Sequence, residues 1–326
     1  MQDGQKSGLL KEKRTAPKKK KPMDKMSIAF AVTVIVLAAA IVLYSAYESI
    51  RSKIEYNKWS ELQSSLATET PPPTEPVATE DNSPLPLTPL AQELLKENPD
   101  TVGWLKINNT NVNYPVVQKK SLEDGGNDYY TNHSFDGSAN RKGAVFSDYR
   151  TTIEDRYQSD NIVIYAHNEA ANDMFGDLDL YKNSGGDDWN PKALEFYKAN
   201  PTFEFSTNYT TSTYKIMAVF VTMRTDEYDD IPLFDYQNYI DFTEDRYNDF
   251  IDNIEKRNKL STDVDYKYGD RFVTLSTCSN EASDARLVII GRRVRDGEST
   301  KVDTSAAEFV SPEYEHDWTE IYKNAG

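Results

Sequence analysis

The chain has 326 residues, 38% hydrophobic and 12% aromatic, which allows one sizeable folded domain with appendages. Its formal net charge of −16 is unevenly placed: residues 1–25 hold nine Lys/Arg against three Asp/Glu, and the rest carries −22. So acidic a body excludes nucleic acid as a partner, because phosphate contacts need clustered Lys/Arg.

After the basic head, Met26–Tyr47 runs 22 positions without a charge. A bilayer core of roughly 30 Å is crossed by about 20 apolar residues as helix. Tyr44 and Tyr47 sit at one end, where aromatic rings favour the interface. The basic cluster on the N-terminal side predicts that this side, residues 1–25, stays cytoplasmic. A cleaved signal peptide has a shorter apolar region and a small-residue cleavage site. Here the region is longer, and Glu48, Arg51 and Lys53 follow directly. The reading is an uncleaved single-pass anchor over 26–47, with the later chain outside the cell.

Residues 48–69, with Ile50, Ile54, Trp59 and Leu62, suggest an amphipathic helical stalk. Residues 70–89 hold seven of the fifteen prolines and read as an extended spacer. A folded domain is expected over 90–295. It begins with a short helix, with Thr88 as its cap and Asn98-Pro99 as its stop. TVGWLKI and NVNYPVV follow as β runs around Asn108-Asn109-Thr110, then KGAVFSD and the apolar strand Asn161–Tyr165. MFGDLDLYK and NPKALEFYKAN read as short helices, TFEFST and TSTYKIMAVFVTMR as strands. Apolar residues at Ile240, Tyr247, Phe250, Ile251 and Ile254 recur with helical period, and Thr243 precedes Glu244 and Asp245 as a helix start. DRFVTLST and ARLVIIGRRV are the last strands; Arg292, Arg293 and Arg295 read as a solvated strand end. The polar, acidic tail, 296–326, reads as mobile. Strands dominate without βαβ alternation, so the fold class is a mostly-β barrel or sandwich decorated with helices.

The chain has one cysteine, Cys278, which ends the strand FVTLST. Outside the cell a lone thiol forms no internal disulfide and is a liability unless it acts. A nucleophilic thiol needs a nearby cation or imidazole. Of three histidines, His316 lies in the tail, His133 in a polar loop, and His167 just beyond the strand NIVIY. His167 and Cys278 thus stand at the mouths of two core strands. Arg286 opens the strand RLVIIG eight residues after Cys278, and so short a connection returns it beside the thiol. Acyl transfer needs such a cation against the oxyanion. The plainer alternatives are a buried Cys278, a structural His167, and a salt bridge from Arg286 to Asp284 or Glu281. No second cysteine and no HExxH point to a metal, and no GxxxxGK[ST] or GxGxxG cradles a phosphate, so no cofactor is expected. With 53 Asp/Glu, chance carboxylate pairs are inevitable and carry no reading.

TLSTC with an arginine eight residues on, NIVIYAHN upstream and an N-terminal anchor together resemble the sortases, the membrane-anchored cysteine transpeptidases of Gram-positive bacteria. VGWLKINNTNVNYPVVQ, NDYYTNHSFDGSANRKGAVFSDYR and the helix near 239–258 resemble class B, over roughly residues 90–294. The resemblance implies an eight-stranded β-barrel with a helix between its sixth and seventh strands. It implies Cys278 as nucleophile, His167 as general acid/base and Arg286 as stabiliser of substrate and oxyanion. Ser276, Thr277 and Asn132 would line a peptide groove, and the Ser279 N–H would donate to the oxyanion. The chain reads YAHN where class B members often read YGHN, so Ala166 adds a methyl behind His167. The implied partners are surface proteins with a C-terminal sorting signal like NPxTN or LPxTG, and an amine from a peptidoglycan precursor or cross-bridge or from a pilin lysine. A cysteine protease that hydrolyses the same thioester, and a non-catalytic surface scaffold, are the alternatives.

Overall fold

The computed structural model describes residues 25–69, 84–120, 126–169, 173–182, 191–225, 230–318 and 320–321. The basic head and most of the proline-rich spacer lie outside the described residues. The chain divides into two compact units at Arg51/Ser52. The anchor and stalk readings fall on one continuous helix, α1 (Lys25–Glu69). Among the described residues one helix, Lys25–Leu66, is long and apolar enough to cross a membrane.

The second unit is built on a closed barrel. Its strands are β1 (Thr101–Lys106), β2 (Asn113–Val117), β3 (Val145–Ser147), β4 (Asn161–Tyr165), β5 (Thr202–Thr207), β6 (Thr211–Met223), β7 (Phe272–Cys278) and β8 (Ala285–Arg293). They are ordered β1-β2-β3-β4-β7-β8-β6-β5, and β5 closes on β1. The pairs β2–β3 and β4–β7 are parallel and the others antiparallel. The eight-stranded barrel expected from the resemblance is therefore present. Of the two classes left open by the strand pattern, the barrel is the one formed.

Alternation along each strand separates two apolar layers. Ile162, Ile164, Val273, Leu275, Leu287 and Ile289 belong to the barrel interior. Phe220, Phe272, Val288 and Ile290 face outward and would expose a large apolar patch if left bare. The helix expected between the sixth and seventh strands, α4 (Glu244–Glu255), covers them with Tyr247, Phe250 and Ile254. Its start matches the sequence reading: the Thr243 hydroxyl accepts from the Arg246 N–H. The same device starts α2 (Pro89–Glu97), where Thr88 accepts from the Ala91 N–H. MFGDLDLYK forms a 3-10 turn over Gly176–Tyr181, and NPKALEFYKAN forms α3 (Pro191–Ala199).

The apolar side of the expected amphipathic stalk is used: Trp59 is buried beside Phe135, ring centroids 5.0 Å apart, with Leu62 packed nearby, in a compact unit that begins at Ser52. Two expectations are corrected. The tail is not a loose end over its described part. Glu308–Phe309 pairs with Leu260–Ser261, and Ala307 and Ile321 are buried. Its few apolar residues are too irregularly spaced to register as a pattern. Arg292 is not solvated: it is fully buried, and its charge is met by the tail residue Glu298 and by Asp265.

Candidate active site

The parity that sends Phe272 and Val288 outward also sends Ser276, Cys278 and Arg286 outward, beyond the ground covered by α4. β4 contributes by the same rule: Ile162 and Ile164 point in, and Tyr165 and His167 lie on the outer side. Cys278 and Arg286 are direct cross-strand partners at the open end of β7–β8. The parallel ladder β4–β7 ends at Tyr165↔Ser276, just short of His167 and Cys278.

Two side-chain bonds clamp these strand ends. The Thr277 hydroxyl donates to the Ala166 carbonyl at 2.8 Å, joining the residue before the thiol to the residue before the imidazole. The Asn168 amide donates to the Cys278 carbonyl at 3.1 Å and to Asp179 at 3.1 Å. Ala166 is buried in the barrel core cluster and also lines the cleft beside His167. Cys278, His167, Arg286, Ser276 and Thr277 line one cleft of about 310 Å³. Cys278 is exposed, which removes the buried-hydrophobe alternative.

His167 donates Nε2–H to the Thr131 carbonyl at 2.7 Å. A carbonyl oxygen only accepts, so Nε2 carries a proton and Nδ1 is the nitrogen left to exchange one. Thr131 stands there because the chain passes very close to Gly143. A Cβ at Gly143 would lie 2.4 Å from the Tyr130 carbonyl oxygen and 2.8 Å from that of Thr131, and its φ is +64°. Gly143→Ala is expected to cost about 1–3 kcal/mol in stability. It is also expected to lower kcat roughly 10- to 100-fold by shifting the acceptor that aims His167. Thermal melts with steady-state peptide cleavage check both effects.

Arg286 Nη1 donates to the Ala285 carbonyl at 2.8 Å and to the Ser283 carbonyl at 3.3 Å. Neither acid named as a salt-bridge alternative holds it. Glu281 pairs with Lys182 at 3.0 Å and accepts from the Ser279 hydroxyl, and among the described residues no carboxylate pairs with Arg286. A guanidinium held at Nη1 has its other donors for an anion in the cleft. Ser276 is buried, its hydroxyl sharing a 2.7 Å hydrogen bond with the Tyr236 hydroxyl. Burial raises the Tyr236 phenol, which therefore stays neutral against the arginines at the cleft.

Two sequence-named residues stand apart. The Ser279 N–H donates to the Ala285 carbonyl at 2.9 Å, continuing the β7–β8 ladder, so it is not free to meet an oxyanion. Asn132 is exposed at the end of the 3-10 turn Asp128–Thr131 and does not line the cleft. Asn127, Asp128 and Thr131, just before it in the chain, do line the cleft. Tyr165, Arg224 and Gln237, which no sequence motif marks, also stand on the cleft wall. Arg224 and Gln237 belong to the stretch between β6 and α4, where no periodicity marks a position.

Behind the wall lies Asp148, fully buried. Burial pushes its carboxyl up, but hydrogen bonds and charge from Arg150, with a bond from Tyr165, outweigh this and hold it below the usual carboxylate value. A depressed carboxylate stabilises the fold above its ordinary pKa, and that stability is lost as pH falls through the folded value. Burial and the Asp148 charge push Tyr165 well up, so its hydroxyl remains a donor.

A family model for the sortase domain matches residues 105–294. Sortase B of Listeria monocytogenes is 32% identical over 205 residues, covering 62% of this chain and 73% of that protein. Sortase B of Staphylococcus aureus is 29% identical over 212 residues, covering 64% and 75%. The structure of a Staphylococcus aureus sortase B–substrate complex superposes with a TM-score of 0.54 at 26% identity, over 74% of this chain and 94% of that one. With the barrel, the helix between its sixth and seventh strands, and the thiol, imidazole and guanidinium on one cleft, the chain belongs to the sortase family, as a class B cysteine transpeptidase.

Proposed function

We propose that the chain, anchored by α1 with residues 1–25 in the cytoplasm and the barrel outside, joins surface proteins to an amine at the cell envelope. The substrate is a C-terminal sorting signal resembling NPxTN or LPxTG. The Cys278 thiol attacks the carbonyl carbon of the Thr, and its proton passes to His167 Nδ1. Arg286 neutralises the oxyanion. The C–N bond after Thr then breaks, with His167 protonating the departing amine. The remaining thioester is attacked by the acceptor amine, from a peptidoglycan precursor or cross-bridge or from a pilin lysine. His167 takes a proton from that amine as the new amide forms, and the Cys278 thiol is restored.

Ser276 and Thr277 hold the cleft floor, while Ser279 acts through its bonds to Ala285 and Glu281 rather than on the oxyanion. Asn132 meets the peptide only where it extends beyond the cleft. The cross-strand pair Cys278–Arg286, clamped to the His167 strand by Thr277, is the observation that carries this reading. Turnover of NPxTN and LPxTG peptides with and without an added amine tests it. Faster turnover with an amine-linked product supports transpeptidation; equal hydrolysis in both arms supports a thiol protease instead.

Arg286→Ala is expected to lower kcat about 10²-fold or more, since one lost oxyanion donor costs that much. Arg286→Lys keeps the charge but not the planar donors beyond the nitrogen held by Ala285 and Ser283, so it recovers less than about tenfold of the loss. Single-turnover acylation rates distinguish the two variants.

A further inference from the structure

Three separate parts of the cleft wall hang on one carboxylate. Asp148 follows β3, and its Oδ2 accepts from the Tyr165 hydroxyl at 2.9 Å, the Asn127 amide at 2.9 Å and Arg150 Nη2 at 2.7 Å. Its Oδ1 accepts from Arg150 Nε at 2.8 Å and from the Arg150 backbone N–H at 2.9 Å. Arg150 is thus held in fork geometry, and its outer edge reaches across to the stretch before α4. There Nη2 donates to the Gln237 carbonyl at 3.0 Å, and Nη1 donates to the Asn238 side chain. Tyr165, Asn127 and Gln237 all line the cleft, on β4, before the 3-10 turn Asp128–Thr131, and in the 3-10 turn Tyr236–Asn238 respectively. Neither Asp148 nor Arg150 lines it.

We propose that Asp148 and Arg150 are a positioning pair that sets the spacing between the walls of the sorting-peptide groove. The pair governs which peptide is held, and the chemistry at Cys278 does not depend on it directly. This rests on the sortase reading. A buried carboxylate receiving five hydrogen bonds has nowhere to turn, so the Tyr165 and Asn127 walls that bond to it, and the Arg150 fork that reaches the third, are fixed relative to one another. Arg150 spans from that carboxylate to the Gln237 turn, because a planar fork satisfies both sides at once. Lysine presents a point charge and cannot do so.

The test uses the full chain, the same two peptides and a small alkylating probe, iodoacetamide, which reports on Cys278 without needing the walls. Arg150→Gln and Asp148→Asn are expected to raise the peptide KM about tenfold or more, to change kcat less than about threefold, and to leave alkylation unchanged. Arg150→Lys is expected not to restore KM. Should Asp148→Asn unfold, Arg150→Gln carries the test, since that side chain is 34% exposed and its loss opens no core cavity. An unchanged KM in Arg150→Gln, a KM restored by Arg150→Lys, or an equal fall in kcat and alkylation overturns the proposal. Wild-type protein that cleaves neither peptide counts against the sortase reading itself.

Discussion

Cys278→Ala is expected to abolish peptide cleavage and the amine-linked product together, a fall of about 10⁴-fold or more, while the melting temperature is unchanged. The two halves of this expectation come from one placement. The thiol ends β7 and is exposed, so truncating it to a methyl leaves no cavity to destabilise the barrel. Every bond change in the proposed cycle passes through its sulfur, and no second cysteine exists to substitute. A scaffold that needed only the anchor and the folded domain would lose nothing. Measuring turnover and thermal melting on the same preparation separates the two accounts.

His167→Gln is expected to slow acylation about 10³-fold while iodoacetamide still reaches Cys278. Glutamine can keep a donor toward the Thr131 carbonyl, the bond that orients the imidazole. It cannot accept the thiol proton and return it to a departing amine. The loss therefore reports proton transfer rather than a displaced strand end. A stopped-flow acylation assay checks the rate, and a wild-type-like melting curve checks that the Thr277–Ala166 clamp survives. A loss confined to KM would contradict the role given to His167.

The site was legible in the sequence where one residue type at one strand end implies one chemistry. Cys278, His167 and Arg286 follow FVTLST, follow NIVIY and open RLVIIG, so each stands at a strand mouth; the β4–β7 ladder is what brings the first two mouths side by side. Thr88 and Thr243 were legible for a similar reason, since a cap is a local bond within one turn. Asn132 and Ser279 show where this reasoning stops. A loop residue can be placed within a few positions of a site, but which neighbour faces the cleft depends on a turn that the pattern does not fix. Asp148 and Arg150 were hidden for a different reason. A buried acid looks like any other among 53 acidic residues, and Arg150, which pairs with it, has partners as far off in sequence as Gln237 and Asn238. Trp59 falls in an amphipathic pattern that does not say what its apolar face meets, and Ile321 is buried through contacts that no local period announces.

Intact-protein mass spectrometry after mixing the full chain with NPxTN and LPxTG peptides, without an amine, tests the central claim most directly. The expected result is a mass increase equal to the peptide fragment ending in Thr, mapped to Cys278, absent from Cys278→Ala and discharged when an amine is added. Cleavage of either peptide that proceeds equally in Cys278→Ala, or a covalent fragment mapped to any residue other than Cys278, would contradict it.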